Sequence, residues 1–132
     1  MEVTAIDHLV LVVADVERTC SFYERALGMR AVQHRPGQWA LRFGHNKISL
    51  QAADNVPPIA RRTTPGSGNF CLLTDWPMYR VVEHLQKAGV TVVEGPAQRV
   101  GAAGPLLSVY FYDPDGNLVE VSNVVTSSPN LP

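Results

Sequence analysis

Along this 132-residue chain the spacing of apolar residues switches between strand-like and helix-like periods. Residues 6–13 are nearly continuous Ile, Leu and Val around His8, the pattern of a strand buried on both faces. Val16, Cys20, Tyr23 and Leu27 then recur at helical spacing. Asp15 stands where a carboxylate can accept free helical amides, and Gly28 where a left-handed residue ends a helix. Residues 29–34 and 38–43 predict a hairpin turning at Arg35, Pro36 and Gly37, with a further strand over 47–51. Residues 52–67 lose all periodicity and hold Pro57, Pro58, Pro65, Gly66 and adjacent Arg61 and Arg62, which reads as a linker or a loop over a site. The pattern then restarts. Residues 69–74 predict a strand, Asp75 and Pro77 a helix start, and Met78, Val81, Val82 and Leu85 its buried face. Strands are expected over 90–93, 106–112 and 118–123, a glycine-rich loop over 99–105, a tight turn over 113–116, and a fraying tail over 124–132.

The second half repeats the first. His8 and Asn69 lie 61 positions apart, and so do Gly28 and Gly89. Each half closes on a strand carrying one polar residue, Gln51 in the first and Glu120 in the second. This reading pairs His8 with Asn69 and Gln51 with Glu120. Two such modules facing each other would bring the four side chains to one point, the form of a metal site built by duplication. A module of about 55 residues is small for an independent core, so pairing within the chain or across a dimer is expected. The expected architecture is one α+β domain of two βαβββ modules, 4–51 and 68–123, joined by the linker 52–67.

Composition narrows the partners. A formal net charge of −1 gives no reason to expect nucleic acid or an anionic membrane surface. No apolar run approaches the roughly 20 residues that span a bilayer. The first residues lack the basic and apolar regions of a signal peptide, so a cytoplasmic protein is expected. Cys20 and Cys71, alone in such a chain, read as unbridged.

Three segments carry a resemblance: residues 6–11 (Ile-Asp-His-Leu-Val-Leu), residues 22–29 (Phe-Tyr-Glu-Arg-Ala-Leu-Gly-Met), and residues 112–121, which run through Asp113-Pro114-Asp115-Gly116-Asn117 to Glu120. With them the chain resembles the glyoxalase, bleomycin-resistance and extradiol dioxygenase group, the vicinal oxygen chelate superfamily. Residues 99–115 look like its branch called glyoxalase domain-containing protein 5. The resemblance implies paired modules forming a cupped mixed sheet around a divalent metal. It places the metal ligands at His8, Gln51, Asn69 and Glu120, the four positions the repeat singles out.

The chemistry of that set is specific. It offers one imidazole, one carboxylate and two amide oxygens, which suits Mn, Mg, Ni, Co or Zn rather than soft-metal centres. A single His at these positions counts against an iron-dependent dioxygenase, whose triad needs a second imidazole. Glu120 is the expected catalytic base by resemblance, moving a proton between carbons of a small oxygenated substrate. The missing second carboxylate argues against a true lactoylglutathione lyase. Trp39, Arg42, Phe43, Tyr110, Tyr112 and Arg99 are the expected substrate-pocket residues, the aromatics for stacking and the arginines for a carboxylate or phosphate. The leading expectation is a metal-dependent glyoxalase-like lyase or isomerase, acting as a homodimer. The alternative is a metal-free module that sequesters a ligand, as bleomycin-resistance relatives do.

Overall fold

A computed structural model describes residues 1–54 and 59–126. Pro57 and Pro58 of the expected linker, and the end of the expected fraying tail (127–132), lie outside the described residues. The chain forms two compact units, 1–68 with 113–117, and 69–112 with 118 onward.

The first unit runs β1 (His8–Val13), α1 (Val16–Leu27), β2 (Arg30–Arg35), β3 (Gln38–Phe43) and β4 (Asn46–Ala52). The strands form one sheet in the order β1-β4-β3-β2, with β1 parallel to β4 and the other pairs antiparallel. The Asp15 carboxylate accepts from the Arg18 amide at 3.0 Å, and Gly28 closes the helix at φ 64°, a conformation that glycine adopts without steric cost. The helix buries Cys20, Phe22, Tyr23 and Ala26, and the sheet buries Leu11, Val13, Leu41, Ile48 and Leu50. β1 is an edge strand with one open face, not a strand buried on both: His8 is exposed and Val10 is 43% exposed.

The second unit repeats the plan with β5 (Asn69–Leu73), α2 (Met78–Lys87), β6 (Glu94–Gly101), β7 (Gly104–Tyr112) and β8 (Leu118–Val124). Its sheet order is β5-β8-β7-β6. Met78, Val81 and Leu85 of α2 are buried, as are Val109, Phe111, Val119 and Val121 of the sheet. Three local expectations change. Asp75 does not cap α2, because the helix begins after Pro77 with no side-chain cap. Residues 90–93 are not a strand; Val90 is buried outside the ladder, and the strand starts at Glu94. The glycine-rich stretch is the end of a hairpin rather than a loop, since Gly101 pairs with Gly104 and only two residues remain to turn.

The turn at residues 113–117 sits in the chain between β7 and β8 but belongs to the first unit. Asp113 is its anchor. Its carboxylate accepts from the buried Tyr23 hydroxyl at 2.7 Å and from Asn117 Nδ2 at 2.8 Å. It also accepts from the Asp115 and Asn117 amides, both at 2.9 Å. Asn117 Oδ1 then takes the Gly68 amide at 2.7 Å. A Cβ at Gly66 would strike the Asp115 carbonyl, so glycine is required there. Every buried polar group of Asp113 and Asn117 named here has a partner, as burial demands.

Candidate functional site

Strand pairing fixes which side chains share a face, because paired residues point the same way and neighbours along a strand alternate. In the second sheet Asn69 pairs with Leu118, and Cys71 with Glu120. Asn69 and Glu120 therefore share a face, two positions or about 7 Å apart along the strands. In the first sheet His8 pairs with Lys47, Val10 with Ser49, and Val12 with Gln51. His8 and Gln51 also share a face, but four positions or about 13 Å apart. Matching His8 to Asn69 thus makes Ser49 the counterpart of Glu120, and Gln51 the counterpart of Ser122. The expected pairing of Gln51 with Glu120 is displaced by two residues. The cause is that the end of a strand in the sequence does not fix its register against a parallel neighbour.

Glu120 is the centre of a polar cluster on an apolar strand. It is half-buried between the buried Val119 and Val121. Its carboxylate accepts from the Ser122 hydroxyl at 3.3 Å. Ser122 Oγ lies 2.6 Å from Ser108 Oγ and 3.2 Å from Cys71 Sγ, and both serines are fully buried. With Ser122 donating to Glu120, the Ser108 hydroxyl and the Cys71 thiol are left to donate to Ser122. Tyr110 pairs directly with Glu120 across β7 and β8. Arg99 Nε donates to the Tyr110 hydroxyl at 2.9 Å, and Arg99 forms an ion pair with Glu94 at 3.0 Å. Desolvation lifts the Tyr110 hydroxyl above its ordinary range; the Arg99 hydrogen bond opposes this and the Glu120 carboxylate adds to it. Burial likewise lifts the Cys71 thiol, with Ser122 opposing and Glu120 adding. Both groups therefore stay protonated, as donors, at neutral pH. The Glu120, Ser122 and Cys71 arrangement was visible in part from sequence, since alternation puts Glu120 and Ser122 on one face.

The other expected site residues divide. His8 Nδ1 lies 2.7 Å from Asp7, leaving Nε2 without a partner among the described residues. The Asp7 carboxyl is held below the usual carboxylate range, first by the His8 hydrogen bond. A histidine whose second nitrogen is fixed by a carboxylate is the usual form of an imidazole metal ligand. Arg42 pairs with Lys47 and so shares the His8 face, whereas Trp39 and Phe43 alternate onto the face of the buried Leu41 and Ile48. Tyr112 follows Tyr110 on the Glu120 face and is exposed. Gln51 lines a cavity of about 450 Å³ in the first unit, together with Val10, Val12, Ile59, Arg62 and Thr63.

The donor chemistry can be tested against a divalent ion. Within the first unit His8 offers an imidazole, and within the second Glu120 offers an anionic oxygen. Asn69 adds an amide oxygen two positions from Glu120. Among the described residues no three His, Cys, Asp or Glu side chains gather as a ready cluster. Taken singly, these donors are of the hard kind that suits an oxygen-preferring divalent ion rather than a soft metal.

Comparison with known proteins agrees with this architecture. Residues 5–121 match the family model described as Glyoxalase/Bleomycin resistance protein/Dioxygenase superfamily. The chain is 45% identical over 126 residues to virulence protein STM3117 of Salmonella typhimurium, covering 95% of this chain and 88% of that protein. It is 44% identical over 124 residues to glyoxalase domain-containing protein RDO1 of Mycosarcoma maydis, covering 93% and 70%. Among solved structures, an integron cassette protein from the mobile metagenome of V. cholerae superposes with a TM-score of 0.92 at 46% identity, covering 95% of this chain and 98% of that one.

Proposed function

Since the chain belongs to the Glyoxalase/Bleomycin resistance protein/Dioxygenase superfamily, we propose that it is a lyase or isomerase that moves a proton on a small oxygenated metabolite, with Glu120 as the base. The observation that carries this reading is the Glu120 cluster. A half-buried carboxylate is aimed by the Ser122 hydroxyl and flanked by Tyr110, itself held by Arg99. Glu120 takes a proton from carbon beside a carbonyl; the C–H bond breaks and a carboxyl O–H forms. The same carboxyl returns the proton to the neighbouring carbon. Positioned acid–base groups of this kind contribute about 10²–10⁴-fold in rate. Tyr110, kept protonated, can donate to a substrate oxygen.

The reading takes a divalent ion from the Mn, Mg, Ni, Co or Zn group as cofactor. Its donors would be His8 and Asn69, with Glu120 a ligand only while it is not acting as the base, and Gln51 the weakest member because it stands four register positions from His8. When bound, the ion supplies positive charge to the substrate's oxygen pair. The same reading takes the chain as a homodimer. Both β1 and β5 are edge strands, and Val10 and Leu73 on them are 43% and 65% exposed. Sedimentation at micromolar concentration should give twice the chain mass.

Equilibrium dialysis against Mn²⁺ tests the proposal. The wild-type chain should hold one ion, and His8→Ala and Glu120→Gln should each lose it. A second reading, ligand sequestration without a metal, is favoured by the cavity beside Gln51 and its largely apolar wall. It predicts no Mn²⁺ binding and unchanged stability in both variants.

A further inference from the structure

The first sheet carries a row of basic side chains that no single stretch of sequence shows. Arg30 pairs with Arg42, Arg42 with Lys47, and Lys47 with His8. The four residues thus stand side by side across all four strands, on one face and at one end of the sheet. Adjacent strands are about 4.8 Å apart, so the row is about 14 Å wide. Like charges directly opposite each other destabilise a sheet, and this row holds two such pairs. The strands β1–β4 contain Arg30, Arg35, Arg42 and Lys47 and no Asp or Glu. Among the described residues, neither Arg30, Arg42 nor Lys47 forms an ion pair. Asp7 feels Lys47 and Arg42 but is already engaged by His8. Glu24, whose carboxylate accepts from the Ala31 amide at 3.4 Å beside Arg30, forms no ion pair with the row among the described residues. Arg30 and Arg42 are exposed and Lys47 is half-buried, so the charges are open to a ligand.

The geometry points to a binding site for a small organic dianion along the Lys47, Arg42 and Arg30 row, beside His8. Two guanidinium forks match planar carboxylate or phosphate oxygens, and the Lys47 ammonium adds a point charge. A bound dianion would also relieve the repulsion between these like charges. The inference deepens the preceding reading by naming the charge class of its substrate. Binding measured without turnover tests the row apart from the base.

Titration calorimetry of the full chain with succinate, inorganic phosphate and neutral succinamide is the experiment. At least one dianion should bind saturably, succinamide should not, and the affinity should fall as NaCl is raised. Arg42→Gln should weaken the dianion about tenfold, the worth of one charge-assisted contact. Without added anion, Arg42→Gln should melt at or above the wild-type temperature, because it removes repulsion. Glu120→Gln should still bind the dianion, so a failed base and a failed row are read apart. Tighter succinate binding assigns a dicarboxylate, and tighter phosphate binding a phosphate ester. The inference is overturned if no dianion binds, if succinamide binds equally well, or if Arg42→Gln binds unchanged. An Arg42→Gln protein melting well below wild type would also overturn it, since Arg42 would then be a structural residue.

Discussion

The two sheets share one plan and carry opposite chemistry. Each places its first strand parallel to its last at one edge, with the other two pairings antiparallel. At the same register, the first sheet has Val10 beside Ser49 and the second has Cys71 beside Glu120. The first sheet's strands are basic; the second's hold Glu94 and Glu120 against a single Arg99 that pairs with Glu94. Duplication conserves backbone pairing because hydrogen-bonded ladders do not depend on side-chain identity. Side chains on an open face bear little on the core, so the copies can diverge into separate tasks. Here those tasks are the proposed holding of an anion and the proposed movement of a proton.

The largest effect should come from the turns that precede the last strand of each sheet. Residues 113–117 are anchored by Asp113 in the first unit, whereas the equivalent turn before β4 carries the exposed His45. Asp113→Ala should cost about 3 kcal/mol in chemical denaturation, because it strands the buried Tyr23 hydroxyl and several amides. His45→Ala should stay within about 0.5 kcal/mol. Equal losses in the two variants would erase this difference between the turns.

A second variant sharpens the register. If Ser49 is the counterpart of Glu120, Ser49→Glu should tighten Mn²⁺ binding about tenfold by adding an anionic donor, and Gln51→Glu should do less. The reverse order would restore Gln51 as the equivalent position.

The smallest effect is a pH dependence. Burial, and then the Asp113 carboxylate, hold the Tyr23 hydroxyl far above its ordinary range. Its folded pKa therefore exceeds the unfolded value of about 10. Stability from this group is whole below about pH 10 and falls as pH rises further, because the unfolded tyrosine then releases a proton that the folded one keeps. Tyr23→Phe should lower stability at pH 7 by about 1 kcal/mol and flatten the alkaline decline. An alkaline limb as steep as wild type would rule Tyr23 out as its source.

Much of the fold was legible because its signals are local. Asp15 and Gly28 bracket α1 as their chemistry requires. The expected stripes are buried at Cys20 and Tyr23 of α1 and at Met78, Val81 and Leu85 of α2, with Val16, Leu27 and Val82 half-buried at their margins. Long-range pairing was less legible. The repeat offset of 61 positions holds from His8 to Gly28 but widens to 71 between the register counterparts Ser49 and Glu120, because the later strands differ in length. Indeed β6 and β7 have 8 and 9 residues where β2 and β3 have 6 each. The Arg30, Arg42 and Lys47 row was invisible for the same reason, since only register brings these residues side by side. Trp39 and Phe43 were assigned to the pocket by strand membership, but alternation turns them to the core side.

Proton exchange at the carbon beside the carbonyl of 2-oxoglutarate, followed by NMR in D₂O, addresses both sheets at once. The probe is a dianion with an exchangeable C–H bond. The account predicts wild-type catalysis in the presence of Mn²⁺, at least a 100-fold loss of maximal rate in Glu120→Gln, and a roughly tenfold rise in half-saturation with little change of maximal rate in Arg42→Gln. Exchange that is as fast in Glu120→Gln as in wild type would contradict it.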